Sequence, residues 1–170
     1  YQHIYHAGNL ADVHKHSLLS WMLEYLTRKD KPLSYLETHA GRAIYDLSDT
    51  PALKTGEALQ GIGRARKWFG AEHPYGKVLD AITREHGADA YPGSPLLAAK
   101  LLRETDSLHL AELHPGEFAA LDLAMSPYPV KCHYRDGFEM AFALTPPTPR
   151  RGLMLIDPSF EIKTDYVDIP

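Results

Sequence analysis

The chain has a single cysteine, Cys132, among its 170 residues. An intrachain disulfide is therefore impossible, and zinc sites built on several thiolates are excluded. Cys132 lies in the strand-like run Val130-Lys131-Cys132-His133-Tyr134, where a small buried hydrophobe is the expected role. Long hydrophobic runs are missing too, since no stretch stays apolar for the length that a bilayer-spanning helix needs. The opening residues, Tyr1-Gln2-His3-Ile4-Tyr5-His6, carry no apolar stretch of the kind that directs secretion, so a cytoplasmic location is expected. Positive charge is scarce as well. The formal net charge is -4, which argues against a surface coated with cations for nonspecific nucleic-acid binding. Internal repeats and low-complexity tracts are absent.

With 44% hydrophobic and 24% charged residues, the composition suits one real core, in one domain with an embellishment. Four local basic clusters stand out: Arg28, Lys29 and Lys31; Arg64, Arg66 and Lys67; Lys100 and Arg103; Arg150 and Arg151. For any single cluster a solvated helix end or turn is the favoured reading.

Asn9 and Asp12 are placed to cap a helix whose apolar positions Val13, Leu18, Leu19, Met22, Leu23 and Leu26 recur at helical spacing until Lys31-Pro32. A short strand, Leu33 to Leu36, runs into Glu37-Thr38-His39-Ala40-Gly41. From about Ser48 to Ala90 the pattern turns helical and polar with Gly and Pro punctuation, which reads as an inserted helical subdomain. Residues 1–47 and 91–170 then form the main domain. Ser94 is expected to be an N-cap, with Pro95 at the first helical position of a helix reaching Arg103. The remainder alternates: strand Ser107 to Leu113, helix Pro115 to Met125, strand Pro129 to Tyr134, helix Gly137 to Leu144, and strand Gly152 to Ile156. Such alternation predicts an α/β fold with a mostly parallel sheet.

Open α/β sheets put their chemistry beyond the carboxyl ends of their strands. There the sequence places Asp157-Pro158-Ser159-Phe160, directly after Gly152-Leu153-Met154-Leu155-Ile156. The tetrapeptide resembles the Asp/Asn-Pro-Pro-Tyr/Phe loop of amino-methylating S-adenosylmethionine enzymes, in which the acid holds a nucleobase amino group and the aromatic stacks on its ring. Other strand ends fit the same cofactor. Thr38-His39-Ala40-Gly41 lets backbone approach closely where glycine has no side chain. Glu112 is placed like the acid that takes ribose hydroxyls in nucleotide-binding α/β folds, and Asp136-Gly137 is placed to edge an adenine. None of these is specific singly.

Taken in order along the chain, the matches become specific. His6-Ala7-Gly8-Asn9, Ala11-Asp12-Val13, Lys15-His16, Thr38-His39-Ala40-Gly41, Tyr91-Pro92-Gly93-Ser94-Pro95-Leu96, Glu112-Leu113-His114-Pro115, Asp136-Gly137-Phe138 and Lys163-Thr164-Asp165-Tyr166 resemble the RlmJ-type 23S ribosomal RNA adenine-N6 methyltransferases. The resemblance implies a Rossmann-like S-adenosylmethionine-dependent methyltransferase fold with a helical insertion and an extra amino-terminal motif over the cofactor site. It implies that His16, His39, Ser94, Glu112, Asp136 and Gly137 contact S-adenosyl-L-methionine, that Asp157 is catalytic, and that Tyr1, Pro158 and Phe160 meet the substrate base. Unassembled 23S rRNA is the implied partner of a monomer, with no membrane and no metal.

The chain departs from the family at Ala43, where the loop tends to carry a second glycine, at Glu37, where Asp is usual, and at Ser159, which replaces a proline and restores a backbone N–H. The family also continues beyond a fourth strand, so a truncated chain is expected. The competing readings are a catalytically impaired cofactor- or RNA-binding module and a DNA adenine-N6 methyltransferase. The ten histidines invite a metal, but His14 and His16, two apart on a helix, cannot face one ion.

Overall fold

In a computed structural model, which describes residues 3–160 and 165–169, the Asn9 side chain accepts from the Asp12 backbone N–H at 2.9 Å. This caps α1, Leu10–Thr27. A single turn, His3–Tyr5, precedes it. Leu19 and Leu23, one helical turn apart, face the core. At its far end the Arg103 and Arg151 guanidiniums donate to the Thr27, Lys29 and Lys31 and to the Lys31 and Leu26 carbonyls respectively, satisfying groups that a helix end and the turn after it leave open.

The chain then enters β1, Ser34–Glu37, and the hairpin partners β2, Ile44–Asp46, and β3, Ala90–Pro92, which pair antiparallel. Between the partners lie α2 (Thr50–Thr55), α3 (Glu57–Gln60), α4 (Ile62–Ala65), a 3-10 turn (Arg66–Trp68) and α5 (Pro74–His86). After them come α6 (Ser94–Leu101), β4 (Ser107–Glu112), α7 (Pro115–Met125), β5 (Val130–Tyr134), α8 (Gly137–Leu144), β6 (Gly152–Leu155) and the short α9 (Asp165–Asp168). The main sheet has the order β5-β4-β1-β6, and all its pairs are parallel. The α/β class and the mostly parallel sheet expected of the sequence are thus present.

Alternation along the strands divides the core. Leu33, Tyr35, Leu108 and Leu110 pack with Leu19, Leu23, Leu97, Leu121 and Met125 on one face of the sheet. Leu36 and Ala111 meet Met140 of α8 on the other. Ala52, Ile62, Ala65, Tyr75, Val78, Leu79 and Ile82, from the helices between β2 and β3, join the first cluster.

One cap differs from expectation. The N-cap of α6 is Gly93, without a side-chain bond, and Ser94 is already helical. The Ser94 hydroxyl donates instead to Glu37 Oε1. One position inside the helix, the Ser94 hydroxyl serves a buried carboxyl that has no water to turn to.

Candidate active site

Parallel strands end their carbonyls on one side, and there β1, β4, β5 and β6 open onto a cleft of about 1100 Å³. Asp157, Pro158 and Phe160 line it after β6, Glu112 after β4, Asp136 after β5 and His39 after β1, together with Ser94 and, from α1, His16. Gly137 does not line it but brings one wall in: a Cβ there would stand 2.0 Å from the Thr38 carbonyl oxygen, so only glycine lets α8 press on the end of β1. Tyr1 lies outside the described residues.

A chain of charge leads to Asp157. Asp12, 2% exposed, accepts from His3 Nε2 at 2.7 Å and from the Gly8 backbone N–H at 3.0 Å. Its other oxygen lies 3.1 Å from Lys15 Nζ, which donates to Asp157 Oδ2 at 2.6 Å. Burial alone would raise the Asp12 pKa, but the His3 hydrogen bond and the Lys15 charge hold it well below the usual carboxylate range. Burial would likewise discharge Lys15, yet the two carboxylates outweigh it and keep the ammonium protonated. Oδ2 of Asp157 is thus held by a cation, while Oδ1 remains to accept a proton donor.

The opposite wall is acidic and polar. Glu112 accepts from the Gly41 N–H at 2.9 Å and from the His114 N–H at 2.7 Å, which fixes its carboxylate at the strand end. Asp136 uses one oxygen to cap α8 through the Phe138 and Glu139 N–H groups, leaving the other for a ligand. His39 pairs with the Thr38 hydroxyl at 2.7 Å, and burial lowers its pKa against the pull of Glu112 and Asp136, so the ring is neutral. Below them Glu37, 1% exposed, receives the Ser94 hydroxyl and, at 2.9 Å, the Tyr35 hydroxyl. Burial pushes Glu37 up to about 8 despite those two bonds, so it stays protonated at neutral pH.

His16 presents an unsatisfied polar atom beside the cleft. Its Nδ1 pairs with the Tyr91 hydroxyl at 2.9 Å, and burial pushes the ring down to about 3, so it is neutral. Its Nε2 is buried with no hydrogen-bond partner among the described residues, on a residue that lines the cleft. Such an atom costs about 1–3 kcal/mol unless something fills the bond.

Residues 30–170 match the profile of a family described as ribosomal RNA large subunit methyltransferase D, RlmJ. The chain belongs to this family. It is 46% identical over 172 aligned residues to ribosomal RNA large subunit methyltransferase J of Escherichia coli K12, and 43% identical over 177 to the protein of the same name from Haemophilus influenzae Rd. Each alignment covers 98% of the chain and 61% of the relative, so the chain spans about three fifths of their length. Among solved structures it resembles protein LPL1258 of Legionella pneumophila Philadelphia 1, with a TM-score of 0.83 and 42% identity over 97% of this chain and 62% of that one.

Within the RlmJ family frame, the departures acquire a geometry. Ala43, fully buried, holds a left-handed φ of 68°, a conformation that glycine takes without strain. Phe160 has φ 56°, is 41% exposed, and sets its ring 5.0 Å from that of Tyr166 at a 45° tilt while its N–H donates to Asp165. Sequence reasoning did not single out Asp12, Lys15 or Glu37 as site residues. Asp12 and Lys15 had one available signal, their i, i+3 spacing at the start of a helix aimed at the site.

The basic clusters separate as well. Arg103 and Arg151 serve carbonyls at the amino-terminal end of the sheet, far from the cleft. Lys100 pairs with Glu85 at 2.6 Å. Among the described residues no group of three or more His, Cys, Asp or Glu gathers as for a metal ion, and no helix is long and apolar enough to cross a membrane.

Proposed function

We propose that this chain carries the catalytic half of an S-adenosylmethionine-dependent methyltransferase acting on the N6 amino group of an adenine in 23S rRNA. The observation that carries the reading is the cleft at the strand ends, with a strand-terminal Asp-Pro-x-Phe loop facing a wall of nucleoside-binding type. The names of the relatives support ribosomal RNA as the class of substrate. Support for the cofactor comes from the donor set. Glu112 suits ribose hydroxyls, Asp136 suits the exocyclic amine of an adenine, the orphaned Nε2 of His16 calls for a hydrogen-bond partner, and a cleft lined by several carboxylates suits a cationic sulfonium. When bound there, the cofactor supplies an electrophilic methyl group.

The protein's own part is positioning and proton handling. An adenine amino nitrogen is a poor nucleophile because its lone pair is delocalised into the ring. Acceptors that hold its two protons favour a more tetrahedral nitrogen, and Asp157 Oδ1 with the Pro158 carbonyl forms such a pair. Lys15 fixes the other Asp157 oxygen and so sets the direction of Oδ1. Phe160, exposed at the cleft rim, offers a face on which a base drawn out of its stack can lie. Residues 48–90 fit the role of an insertion carried by the domain formed from 1–47 and 91–170.

Calorimetric titration of S-adenosylhomocysteine into the full-length protein tests the cofactor assignment. Binding that Glu112→Ala weakens by about tenfold or more supports it; equal binding by both proteins, or none by either, overturns it.

A further inference from the structure

The cleft is poorly built to grip a polyanion. Its lining includes Asp12, Glu112, Asp136, Asp157 and Asp165, and its lysine is already held between two carboxylates. Cations that bind a phosphate backbone must therefore lie outside it. Of the clustered cations, Arg103 and Arg151 are engaged with carbonyls and Lys100 with Glu85. Arg28 and Lys29 follow α1 at the amino-terminal end of the sheet, opposite the cleft, where the Lys29 backbone carbonyl receives Arg103.

The helical insertion is different. Residues 50–70 contain Lys54, Arg64, Arg66 and Lys67 against one acid, Glu57, in a chain of net charge -4. Glu57, half-buried, is engaged by His6 and Asn9 at 3.0 Å. The Ile62 N–H donates to the Gly8 carbonyl at 2.8 Å. These contacts seat α3 and α4 against the segment that forms the cleft rim, with Ile62 and Ala65 buried. Arg66 is paired with Asp80. Arg64, Lys67 and Trp68, at i, i+3 and i+4, share the opposite face and are exposed, Trp68 to 64%. Neither Arg64 nor Lys67 makes an ion pair with a described residue.

We infer that this face of α4 and its continuing turn holds the substrate RNA flanking the target adenine, with Arg64 and Lys67 on phosphates and Trp68 stacked on a base. The inference rests on the reading of the substrate as RNA. The cations stand about one helix diameter, roughly 10 Å, outside the rim, a distance that neighbouring nucleotides span.

The test uses the full-length protein and a fluorescein-labelled RNA hairpin transcribed from large-subunit rRNA, with affinity measured across a salt series. Arg64→Ala combined with Lys67→Ala is expected to weaken binding about tenfold or more and to make the slope of log affinity against log salt shallower by roughly 1.4 to 1.8. Trp68→Ala is expected to weaken binding by about five-fold or more while leaving the slope unchanged. S-adenosylhomocysteine affinity stays constant in every variant, and Arg28→Ala with Lys29→Ala changes neither RNA affinity nor slope. An unchanged slope in the double variant, or an equal loss in the Arg28/Lys29 control, overturns the assignment of this face. Wild-type protein that neither binds nor methylates RNA overturns the RNA reading itself, which separates the two failures.

Discussion

Lys15 shows how much one side chain can decide. Its ammonium bridges a buried acid and the proposed catalytic one, so replacing it removes the cation from Asp12 Oδ1 and leaves Asp157 free to turn. Lys15→Met is expected to lower the rate of methyl transfer on the order of 10²-fold with little change in S-adenosylhomocysteine affinity, as positioning is lost rather than cofactor contacts. Steady-state and binding measurements on the same preparation check this. Glu37 gives a prediction in pH. Its carboxyl holds a proton up to about pH 8 when folded but releases it in the ordinary range when unfolded. The folded state therefore binds the extra proton, and stability falls as pH rises through that window, by at most about 1.4 kcal/mol per pH unit. Glu37→Gln keeps the hydrogen-bonding shape without the titration. Urea unfolding from about pH 5 to about pH 8 should show a flatter decline in the variant. Ala43→Gly relieves a left-handed alanine and is expected to raise stability by about 1 kcal/mol.

Among elements, the β-α alternation from Ser107 to Leu155 was readable because short strand-like runs alternate with helices that open on a recognisable cap such as Asp136 or His114-Pro115. The hairpin β2–β3 was not readable. Each strand has three residues, too few for a period, and its partner lies beyond the whole helical insertion. The Ser94 cap was misread for a related reason: local sequence offers Ser94 an N–H, and only tertiary structure brings Glu37 to it. The Lys15–Asp157 contact joins residues 142 apart. Helical spacing could place Lys15 on a face of α1 but could not show that this face lies along β6. The site residues at strand ends were legible because topology fixes where strand ends point. At this scale Gly137→Ala is the sharpest test of how elements shape the cleft. The added methyl must displace α8 from the end of β1, at a cost of about 1–3 kcal/mol. Thermal unfolding should report that loss, and cofactor affinity should fall with it because Asp136 moves too.

For the molecule as a whole, charge is sorted by place rather than by amount. A chain of net charge -4 lines its cleft with carboxylates and carries Arg64 and Lys67, exposed and without an ion pair among the described residues, outside it on α4 and the turn that follows. That division suits a cationic methyl donor inside and an anionic strand outside. The account stands on Asp157 acting on an adenine amino group within that cleft. Its most direct test is methylation of a 23S rRNA transcript by the full-length protein and by Asp157→Asn, with the product nucleosides identified by mass spectrometry. The account predicts N6-methyladenosine from the wild type and a loss of about 10²-fold or more in the variant, whose S-adenosylhomocysteine affinity stays within a few-fold. Full activity in Asp157→Asn, or a methyl group found elsewhere than N6, would contradict it.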